Sequence, residues 1–390
     1  MPLEAAPSTS DFSPGVSFWA ASERLRVSSW REGLRNRLKF WLRAWIWRRH
    51  TRAWLARLVQ ADLAPLWTAH PRLATKLQRP YICAAWPVPV RLAALLGHYD
   101  LFARLFAPEA CLAIFRDGIR LVHLTNLDPD VQLDVQLIYR DQFEKEGELT
   151  LAVLDVATGL RLAGITFSLV RNGGQCLMVI GGLQSNPDPR TRELIHDAAK
   201  AMHGLRPKAL AFWCLQQLTA PWQIAQIQAV GDQQHIYRHR HKRRVIPTCY
   251  DEFWRECGGR ELPGGGSWEL ALQFRPRSRE ELKPSRRKAY ERRYLMLDAL
   301  RPTLLGAFAA LAPGGQAAAA LAAGPVEFDC SVRENASEPP TAPDLANGIS
   351  ATKCGPDLFA TRSSQKPREF DERILTGARS VSREATRGKR

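Results

Sequence analysis

The feature that most constrains the fold is a run of strand-like segments joined by tight turns. Apolar residues occupy every second position from Val131 to Leu137, which is the period of a half-buried strand. Further strands are predicted over 147–156, 160–170 and 175–183, with Thr158-Gly159 and Asn172-Gly173 as the turns between them. Consecutive strands with such short connections indicate an antiparallel β-meander.

Helical segments and a returning strand surround this meander. Helices are predicted over 92–105, 188–203, 207–218 and 280–300, and strands over 224–230 and 268–274. Asp117-Gly118 lies between the apolar runs 113–115 and 119–124, which predicts a further hairpin. The expected fold class is therefore α+β: a meander followed by helices and a crossover strand, with an N-terminal helical extension and a disordered C-terminal tail.

The N-terminal extension is cationic and rich in tryptophan. After a flexible leader at 1–22, the helical region 23–78 carries large apolar residues spaced for one side of a helix, at Trp30, Leu34, Leu38, Trp41 and Trp45. Three interpretations are open: a helix docked on the core through this stripe, a helix bound to an anionic membrane or another polyanion, and a partner helix. The chain has 55 Lys and Arg against 39 Asp and Glu, a net charge of +16, which favours polyanionic partners.

The C-terminal region differs in composition. Residues 301–326 are rich in alanine and are expected to form a linker or short helices, because alanine contributes little to membrane insertion. The tail at 327–390 is rich in Ser, Thr, Pro and charge, and is expected to be disordered.

The N-terminal sequence and the spacing of the cysteines indicate where the protein is located and whether it has a metal site. The N-terminus shows no secretory signal, and none of the eight cysteines forms a Cys-x-x-Cys pair. These features predict a cytoplasmic protein with reduced thiols and without a metal site, with peripheral contact to the inner membrane as an alternative.

Eight short stretches, in order, cover residues 79–300, the expected α+β domain. They are Arg79-Pro80-Tyr81, His98-Tyr99, Glu146–Leu151, Ile180–Gln184, His203–Lys208, His235–Arg238, Tyr250–Trp254, and Arg292-Arg293-Tyr294 followed by Leu297-Asp298. Together they resemble the bacterial VirK/YbjX family. The resemblance implies envelope-stress and virulence biology, including surface-protein display and resistance to antimicrobial peptides, and it implies no known reaction.

The order of meander, helix and crossover strand also resembles the N-acetyltransferase-like fold. That resemblance implies acyl-coenzyme A as a candidate cofactor, entering where two strands of the sheet separate. The loop that would contact its pyrophosphate reads Asn186-Pro187-Asp188-Pro189-Arg190 here. Two prolines lack N–H donors and Asp188 repels phosphate, so the topology fits this cofactor while the loop does not.

The candidate catalytic residues are His235, Tyr237 and Glu148. His235 and Tyr237 follow a predicted strand end and would share one face of an extended chain, where they would act as base and acid. The alternative is a solvated loop with a structural His235. Glu148 is a candidate base, with an exposed strand glutamate as its alternative.

The first group of candidate ligand-binding residues is Gly181, Gly182 and Gln184. Glycine within an apolar strand permits a bulge or the close approach of a ligand, or marks a bend crowded by an aromatic side chain. We expect the glycine pair and His235 to border one hollow at the rim of the sheet, and the proposed chemistry depends on that placement.

The second group is basic. His203, Arg206 and Lys208 lie where one helix ends and the next restarts, which predicts either helix punctuation or an anion clamp with a proton-shuttling histidine. Arg238 opens the basic run 238–244, which is either a solvated loop or a contact for phosphate or nucleic acid.

Three functional hypotheses follow. The first is an envelope-stress accessory protein bound to an anionic membrane or envelope component, with an acyltransferase-like core. The second is an acyl-coenzyme A-dependent N-acyltransferase. The third is a nucleic-acid-binding protein that uses the loop 238–244.

Overall fold

The computed structural model describes residues 21, 30–128, 131–237 and 249–330. The α-helices are α1 (Trp30–Ile46), α2 (Arg48–Leu58), α3 (Ala64–Ala69), α4 (Val88–Leu105), α5 (Pro108–Arg116), α6 (Thr191–Ala201), α7 (Pro207–Gln217), α8 (Tyr250–Glu256), α9 (Arg287–Ala310) and α10 (Ala317–Ala323). Short 3-10 helices occur at Pro71–Gln78, Asp141–Phe143 and Pro284–Arg286. The strands are β1 (Ile119–Asp128), β2 (Val131–Ile138), β3 (Leu149–Asp155), β4 (Arg161–Asn172), β5 (Gln175–Gln184), β6 (Ile224–Val230), β7 (Arg260–Glu261), β8 (Ser267–Leu270) and β9 (Val326–Asp329).

The strands of the described residues form one mixed nine-stranded sheet in the order β7-β8-β6-β5-β4-β3-β2-β1-β9. Strands β1 to β5 pair antiparallel with their sequence neighbours, as a meander does. The chain then passes through α6 and α7 and returns as β6, which pairs parallel with β5. The predicted α+β class is confirmed, and α4 and α7 both pack against β4.

The hairpin predicted around Asp117-Gly118 is wrong. Residues on its first side belong to α5, which begins at Pro108 and buries Ala110, Ile114 and Phe115. The spacing of these residues is helical, but the apolar run 113–115 is too short to distinguish a helix from a strand. Gly118, at φ +80°, ends the helix and leads into β1.

The beginning of the predicted disordered tail is also different in the structure. Val326–Asp329 is β9, which pairs parallel with the edge of β1. Cys330 is buried, and its N–H donates to the Thr125 carbonyl at 2.9 Å. The segment contains only two apolar residues, Val326 and Phe328, and its backbone pairs with the edge that β1 offers. Residues 331–390 lie outside the described residues.

The N-terminal helices are attached to the core by buried tryptophans. Trp54 in α2 and Trp67 in α3 are buried, and the Trp54 indole N–H donates to the Leu73 carbonyl at 2.9 Å. Each tryptophan therefore contributes a large apolar surface to the same hydrophobic core as the sheet. The predicted helical region 23–78 is continuous with the α+β core in these contacts.

Candidate functional site

Three buried carboxylates lie in a row on the turn that leads into β3. Glu144, Glu146 and Glu148 alternate with Lys145 and Gly147, and each glutamate is buried. Burial of a carboxylate is unfavourable unless it is paired or hydrogen-bonded. The partners of the three groups therefore define the chemistry of this region.

The outer two glutamates pair with cations from the 3-10 helix Pro71–Gln78 and the residue after it. Glu144 accepts from Arg72 at 2.5 Å and from Arg79. Lys76 donates to Glu148 Oε2 at 2.6 Å, and neither side chain of this pair is exposed. Arg72, Lys76 and Arg79 thus supply the positive charges for the two buried acids on the opposing turn.

Glu148 is held in its ionised form. Burial alone would raise its pKa, but the charges of Lys76 and His98 and the hydrogen bonds from Lys76 and Tyr99 lower the pKa below the ordinary value. The Tyr99 hydroxyl donates to Oε2 at 2.6 Å. The expectation of an exposed strand glutamate is therefore wrong. Two donors engage Oε2, whereas the buried Oε1 has no hydrogen-bond partner within the described residues.

Glu146 has a different set of partners. Gln184 donates to Glu146 Oε1, and His235 Nε2 lies 3.5 Å from the same oxygen. Both Glu146 and His235 are buried. The Tyr250 ring packs 4.8 Å from the His235 ring, and the Tyr250 hydroxyl accepts the Leu183 N–H at 3.1 Å. A carboxylate, an imidazole and a phenol therefore meet at one point.

Several polar atoms in this cluster keep hydrogen-bonding capacity. Within the described residues, no hydrogen-bond partner is present for either ring nitrogen of His235 or for Glu146 Oε2. The 3.5 Å separation of His235 and Glu146 is an electrostatic contact at the outer limit of hydrogen-bond distance. Burial raises the pKa of the Tyr250 phenol, and the Glu146 charge raises it further.

The glycine pair is needed because the turn that carries Glu146 passes directly against β5 at these two residues. A Cβ on Gly181 would overlap the Glu146 carbonyl oxygen, and one on Gly182 would overlap the Glu146 carboxylate. Thr166 pairs with Gly182 while Phe167 pairs with Ile180, so Gly181 is the extra residue of a β-bulge. The glycine pair therefore forms a β-bulge, and the group that lies close to it is Glu146 of the same chain, not a ligand or an aromatic side chain.

Gly181, Gly182 and His235 therefore all lie against one residue, Glu146. The carboxylate of Glu146 fills the space between the glycine pair and the imidazole, where a hollow was expected. Gln184 contacts the same carboxylate. The glycine pair and His235 thus share Glu146 as a neighbour, in place of the open hollow on which the predicted chemistry depends.

Two parallel strands separate beside this cluster. The pairing of β5 with β6 ends at Ile180 and Ala229, whereas β5 continues to Gln184. The Leu183 N–H beyond that point is satisfied by Tyr250 of α8 instead of by a strand. The separation thus places side chains from α8 and from His235 against the end of β5.

The backbone next to the cluster is strained at Ile82. Its φ is +57°, which is sterically unfavourable for a β-branched residue. The Ile82 N–H donates to the Lys145 carbonyl at 2.6 Å, and the following residue, Cys83, forms an isolated β-bridge with His235. These two contacts hold the strained residue between the Glu146 turn and His235.

The remaining predicted site residues lie elsewhere or at the border of this cluster. Tyr237 is partly exposed, and its ring lies 5.5 Å from that of His235. His203 and Arg206 lie between α6 and α7, Lys208 lies in the first turn of α7, and Arg206 pairs with Glu256. Arg238 and the basic run 238–244 lie outside the described residues.

The loop before α6 is organised by its own side chains. Asp188 accepts hydrogen bonds from the Arg190 N–H at 2.9 Å and from the Arg190 guanidinium. Its carboxylate therefore remains at the helix start, as the loop sequence indicates. This arrangement opposes a pyrophosphate at this helix.

Helix α1 packs with a different face from the one expected. Phe40 and Ala44 are buried, whereas Leu38 is 70% exposed and Trp45 is 64% exposed. The exposed large apolar residues of this helix are Leu34, Leu38, Trp41, Leu42, Trp45 and Ile46. Docking through the Trp41 and Trp45 stripe is therefore wrong, and the stripe faces outward.

Metal ligands and membrane spans are two further features to consider in the described residues. Within those residues there is no group of three or more His, Cys, Asp or Glu side chains arranged to hold a metal ion. No helix within them has the length and apolar character needed to span a membrane.

The mixed sheet, the buried acidic row and the outward tryptophan face define an α+β protein. The chain belongs to the VirK/YbjX family: a family model described as "Protein of unknown function (DUF535)" matches residues 29–305. It is 34% identical over 277 residues to "Uncharacterized protein YbjX" of Escherichia coli (strain K12), covering 70% of this chain and 83% of the relative. An "Uncharacterized protein" of Haemophilus influenzae is 26% identical over 208 residues, covering 53% of this chain and 68% of that protein.

The family match extends beyond the predicted domain 79–300. It begins before α1 and ends within α9, so the tryptophan helix is part of the region shared with the family. Sequence reasoning missed Glu146, Tyr250 and Lys76 as site residues. Glu146 and Tyr250 were inside stretches that carried the resemblance, and alternating acids at 144, 146 and 148 were a signal available in the sequence.

Proposed function

We propose that this protein is a peripheral accessory protein of the bacterial cell envelope, and that α1 attaches it to an anionic membrane surface. The observation that carries the proposal is the outward face of α1, where six large apolar side chains are exposed on a helix that is otherwise anchored to the core. Exposed apolar patches of this kind mark interaction surfaces. The family resemblance supplies the envelope context.

The charge around α1 favours a lipid surface with anionic headgroups. Lys39 within α1 and Arg48 and Arg49 at the start of α2 are exposed. Apolar side chains with Trp at their centre enter the interface between headgroups and acyl chains, while arginine and lysine contact anionic headgroups. A protein partner would bury the apolar face equally well but gives no reason for the surrounding cations.

Vesicle co-sedimentation of the full chain tests the attachment. We expect binding to vesicles that contain phosphatidylglycerol and much weaker binding to phosphatidylcholine alone, with loss of binding at high salt. Equal binding to both, or no binding to either, removes the proposal. The variant Leu38→Glu/Trp45→Glu should weaken binding by at least about tenfold, because two apolar anchors become charged.

A matched control is available on α9. Leu295 is 57% exposed, so Leu295→Glu introduces a charge at a comparably exposed apolar residue away from α1. This variant should bind vesicles as the unaltered chain does. Equal loss in the Leu295 variant would show that any added negative charge weakens binding, which contradicts a specific role for α1.

A second candidate function is N-acyl transfer from acyl-coenzyme A within the core. The separation of β5 from β6 beyond Ile180 supports it, since His235 and Glu146 stand at that point as an acid–base pair. Tyr237 borders the pair as a further acid, and Glu148 is engaged by Lys76. The loop at 186–190 offers this cofactor little, so binding would depend on the strand end.

A thermal-shift screen with coenzyme A thioesters tests this second function. Saturable stabilisation that is reduced in Glu146→Gln would support it, and no stabilisation at a high ligand excess would count against it. The nucleic-acid hypothesis rests on 238–244, outside the described residues. A salt-titrated gel shift with a flat slope would end it.

A further inference from the structure

We propose that the surface formed by residues 275–288 and the first turns of α9 binds single-stranded nucleic acid. Six exposed cations make up this basic surface: Arg275, Arg277, Arg279, Lys283, Arg286 and Lys288. The surface does not include α1, the Glu146–His235 cluster or the run 238–244. The proposal therefore goes beyond membrane attachment and does not depend on acyl transfer.

The positive charge of the basic surface is not neutralised by the protein itself. Residues 275–288 contain seven Lys and Arg against two Glu. Exposed arginines such as Arg190 and Arg260 pair with Asp188 and Glu269. In contrast, none of the six cations of the basic surface forms an ion pair within the described residues. Their mutual repulsion is relieved when a polyanion binds, which is the electrostatic origin of nucleic-acid affinity.

The segment that carries these cations is held in place by hydrogen bonds. Arg287 Nε donates to the carbonyls of Arg279 and Leu282, at 3.2 and 3.4 Å. The Leu282 side chain is buried, and the Arg277 N–H donates to the Tyr294 hydroxyl at 2.9 Å. These contacts fold the segment against the start of α9, so the cations are gathered on one surface before a ligand binds.

Aromatic rings border the basic surface. Tyr290 and Tyr294 are partly exposed, and their ring centres lie 5.8 Å apart. Phe274 is also partly exposed, and its ring centre lies 5.9 Å from that of Tyr294. Bases of a single strand stack on aromatic side chains while its phosphates contact Arg and Lys, so cations beside such rings are typical of a single-strand site.

A single strand fits these features better than a membrane or a duplex does. Residues 275–288 include no exposed large apolar side chain that could enter a lipid interface, in contrast to α1. The bases of a duplex are stacked on one another, whereas unpaired bases are free to stack on Tyr290 and Tyr294. Cations next to partly exposed rings therefore favour single-stranded nucleic acid as the partner.

Fluorescence anisotropy of the full chain with a labelled single strand of DNA of about 20 nucleotides, measured over a range of salt concentrations, tests the surface. The triple variant Arg275→Gln/Arg277→Gln/Lys283→Gln should bind at least about tenfold more weakly. The slope of log affinity against log salt should become shallower by about 2, since each lost phosphate contact contributes about 0.7. No binding by the unaltered chain, or unchanged affinity in the triple variant, overturns the proposal.

A matched control removes the same charge from exposed residues of α4, α5 and α6. The variant Arg104→Gln/Arg116→Gln/Arg192→Gln should bind the single strand as the unaltered chain does. Equal losses in the two triple variants would mean that net charge alone determines the affinity, which contradicts a site at 275–288.

Two further measurements separate base stacking and lipid binding from charge. Tyr290→Leu should weaken binding of the single strand by at least about fivefold and leave binding of inorganic polyphosphate, which has no bases, unchanged. Equal effects on the two ligands contradict a single-strand site. Phosphatidylglycerol vesicles are tested with Leu38→Glu/Trp45→Glu, which disables α1. Vesicle binding that persists there and is lost on adding the 275–288 triple substitution assigns the surface to a membrane and overturns the proposal.

Discussion

His235 Nε2 lies 3.5 Å from Glu146 Oε1 in a buried position, although the two residues come from distant parts of the chain. Their contact joins the turn before β3 to the segment after β6. Since Glu146 also lies against Gly181 and Gly182, one carboxylate links three separate segments. The stability of the fold and the chemistry of the cluster therefore depend on the same side chain.

A double-mutant cycle with Glu146→Gln and His235→Phe should give a coupling energy of about 1–3 kcal/mol, because buried neighbours in one network are not independent. Urea denaturation measures it. The exposed pair His196 and Asp197, at 3.3 Å with 80% and 51% of their side chains exposed, is the matched control and should give a coupling near zero. Similar values for both pairs would contradict a special role for burial.

Gly181→Ala should destabilise the protein by about 1–3 kcal/mol, because the added methyl group would overlap the Glu146 backbone. Gly306→Ala is the control: it lies within α9, and no described atom is within 4 Å of the added carbon. That substitution should raise stability by up to about 1 kcal/mol through helix propensity. The melting temperatures of both variants test this prediction. An unchanged melting temperature for Gly181→Ala would contradict the close contact between Gly181 and the Glu146 backbone.

Lys76→Met should destabilise the protein by about 3–5 kcal/mol, since it leaves the Glu148 carboxylate buried without its cation. Lys76→Met/Glu148→Gln should recover much of that loss, because the unpaired charge is gone. Denaturant titration compares the single and double variants. A double variant as unstable as the single one would mean that packing of the Lys76 chain matters more than the charge.

His98 should make the protein less stable in mild acid. Burial lowers the pKa of His98 to about 4, against an opposing effect of Glu148 and a further lowering by Lys76. Between about pH 4 and the ordinary histidine value near 6.5, the unfolded chain binds more protons than the folded chain. The contribution is thus complete above about pH 6.5 and is lost as the pH falls towards 4, on the order of 3 kcal/mol.

The variant His98→Gln identifies that contribution. Glutamine can still accept the Leu169 N–H that His98 Nδ1 accepts at 3.1 Å, but it does not titrate. Between pH 4 and 6.5, the slope of the unfolding free energy against pH should decrease relative to the unaltered chain, by an amount that corresponds to at most about one bound proton. An identical slope in His98→Gln would contradict the assignment.

Ending the chain after Gly324 should lower the melting temperature and promote aggregation, because it removes β9 and exposes the edge of β1. The expected loss is a few kcal/mol, at about 1 kcal/mol for each backbone hydrogen bond. A chain that ends after Cys330 keeps β9 and the Cys330–Thr125 bond, and should melt at a higher temperature. Equal melting of the two chains would show that β9 adds nothing to the sheet.

Local patterns predicted much of the sheet. The two-residue alternation in β2 and the Gly turns at 159 and 173 are short-range signals, and the structure has strands and turns there. The predicted crossover strand at 224–230 coincides with β6. The short apolar run 113–115 lacked the length that separates a helix from a strand, which is why the hairpin prediction failed.

The site was only half visible in the sequence. The sequence indicated His235 and the glycine pair as site residues because each is unusual in its local context. Glu146 did not, because a glutamate in a charged stretch such as 144–148 is ordinarily solvated. Its importance comes from burial, and burial is decided by the segments that fold over it.

The sequence by itself determined the α+β class, the meander, the crossover strand and the cationic tryptophan helix, since periodicity, turn residues and charge act over a few neighbouring positions. Only the tertiary structure decided that α1 presents Trp41 and Trp45 outward and packs through Phe40 and Ala44. Likewise only the fold brought Lys76 to Glu148 and His235 to Glu146. Burial and charge pairing depend on which distant segments meet, and that is a property of the whole packed chain.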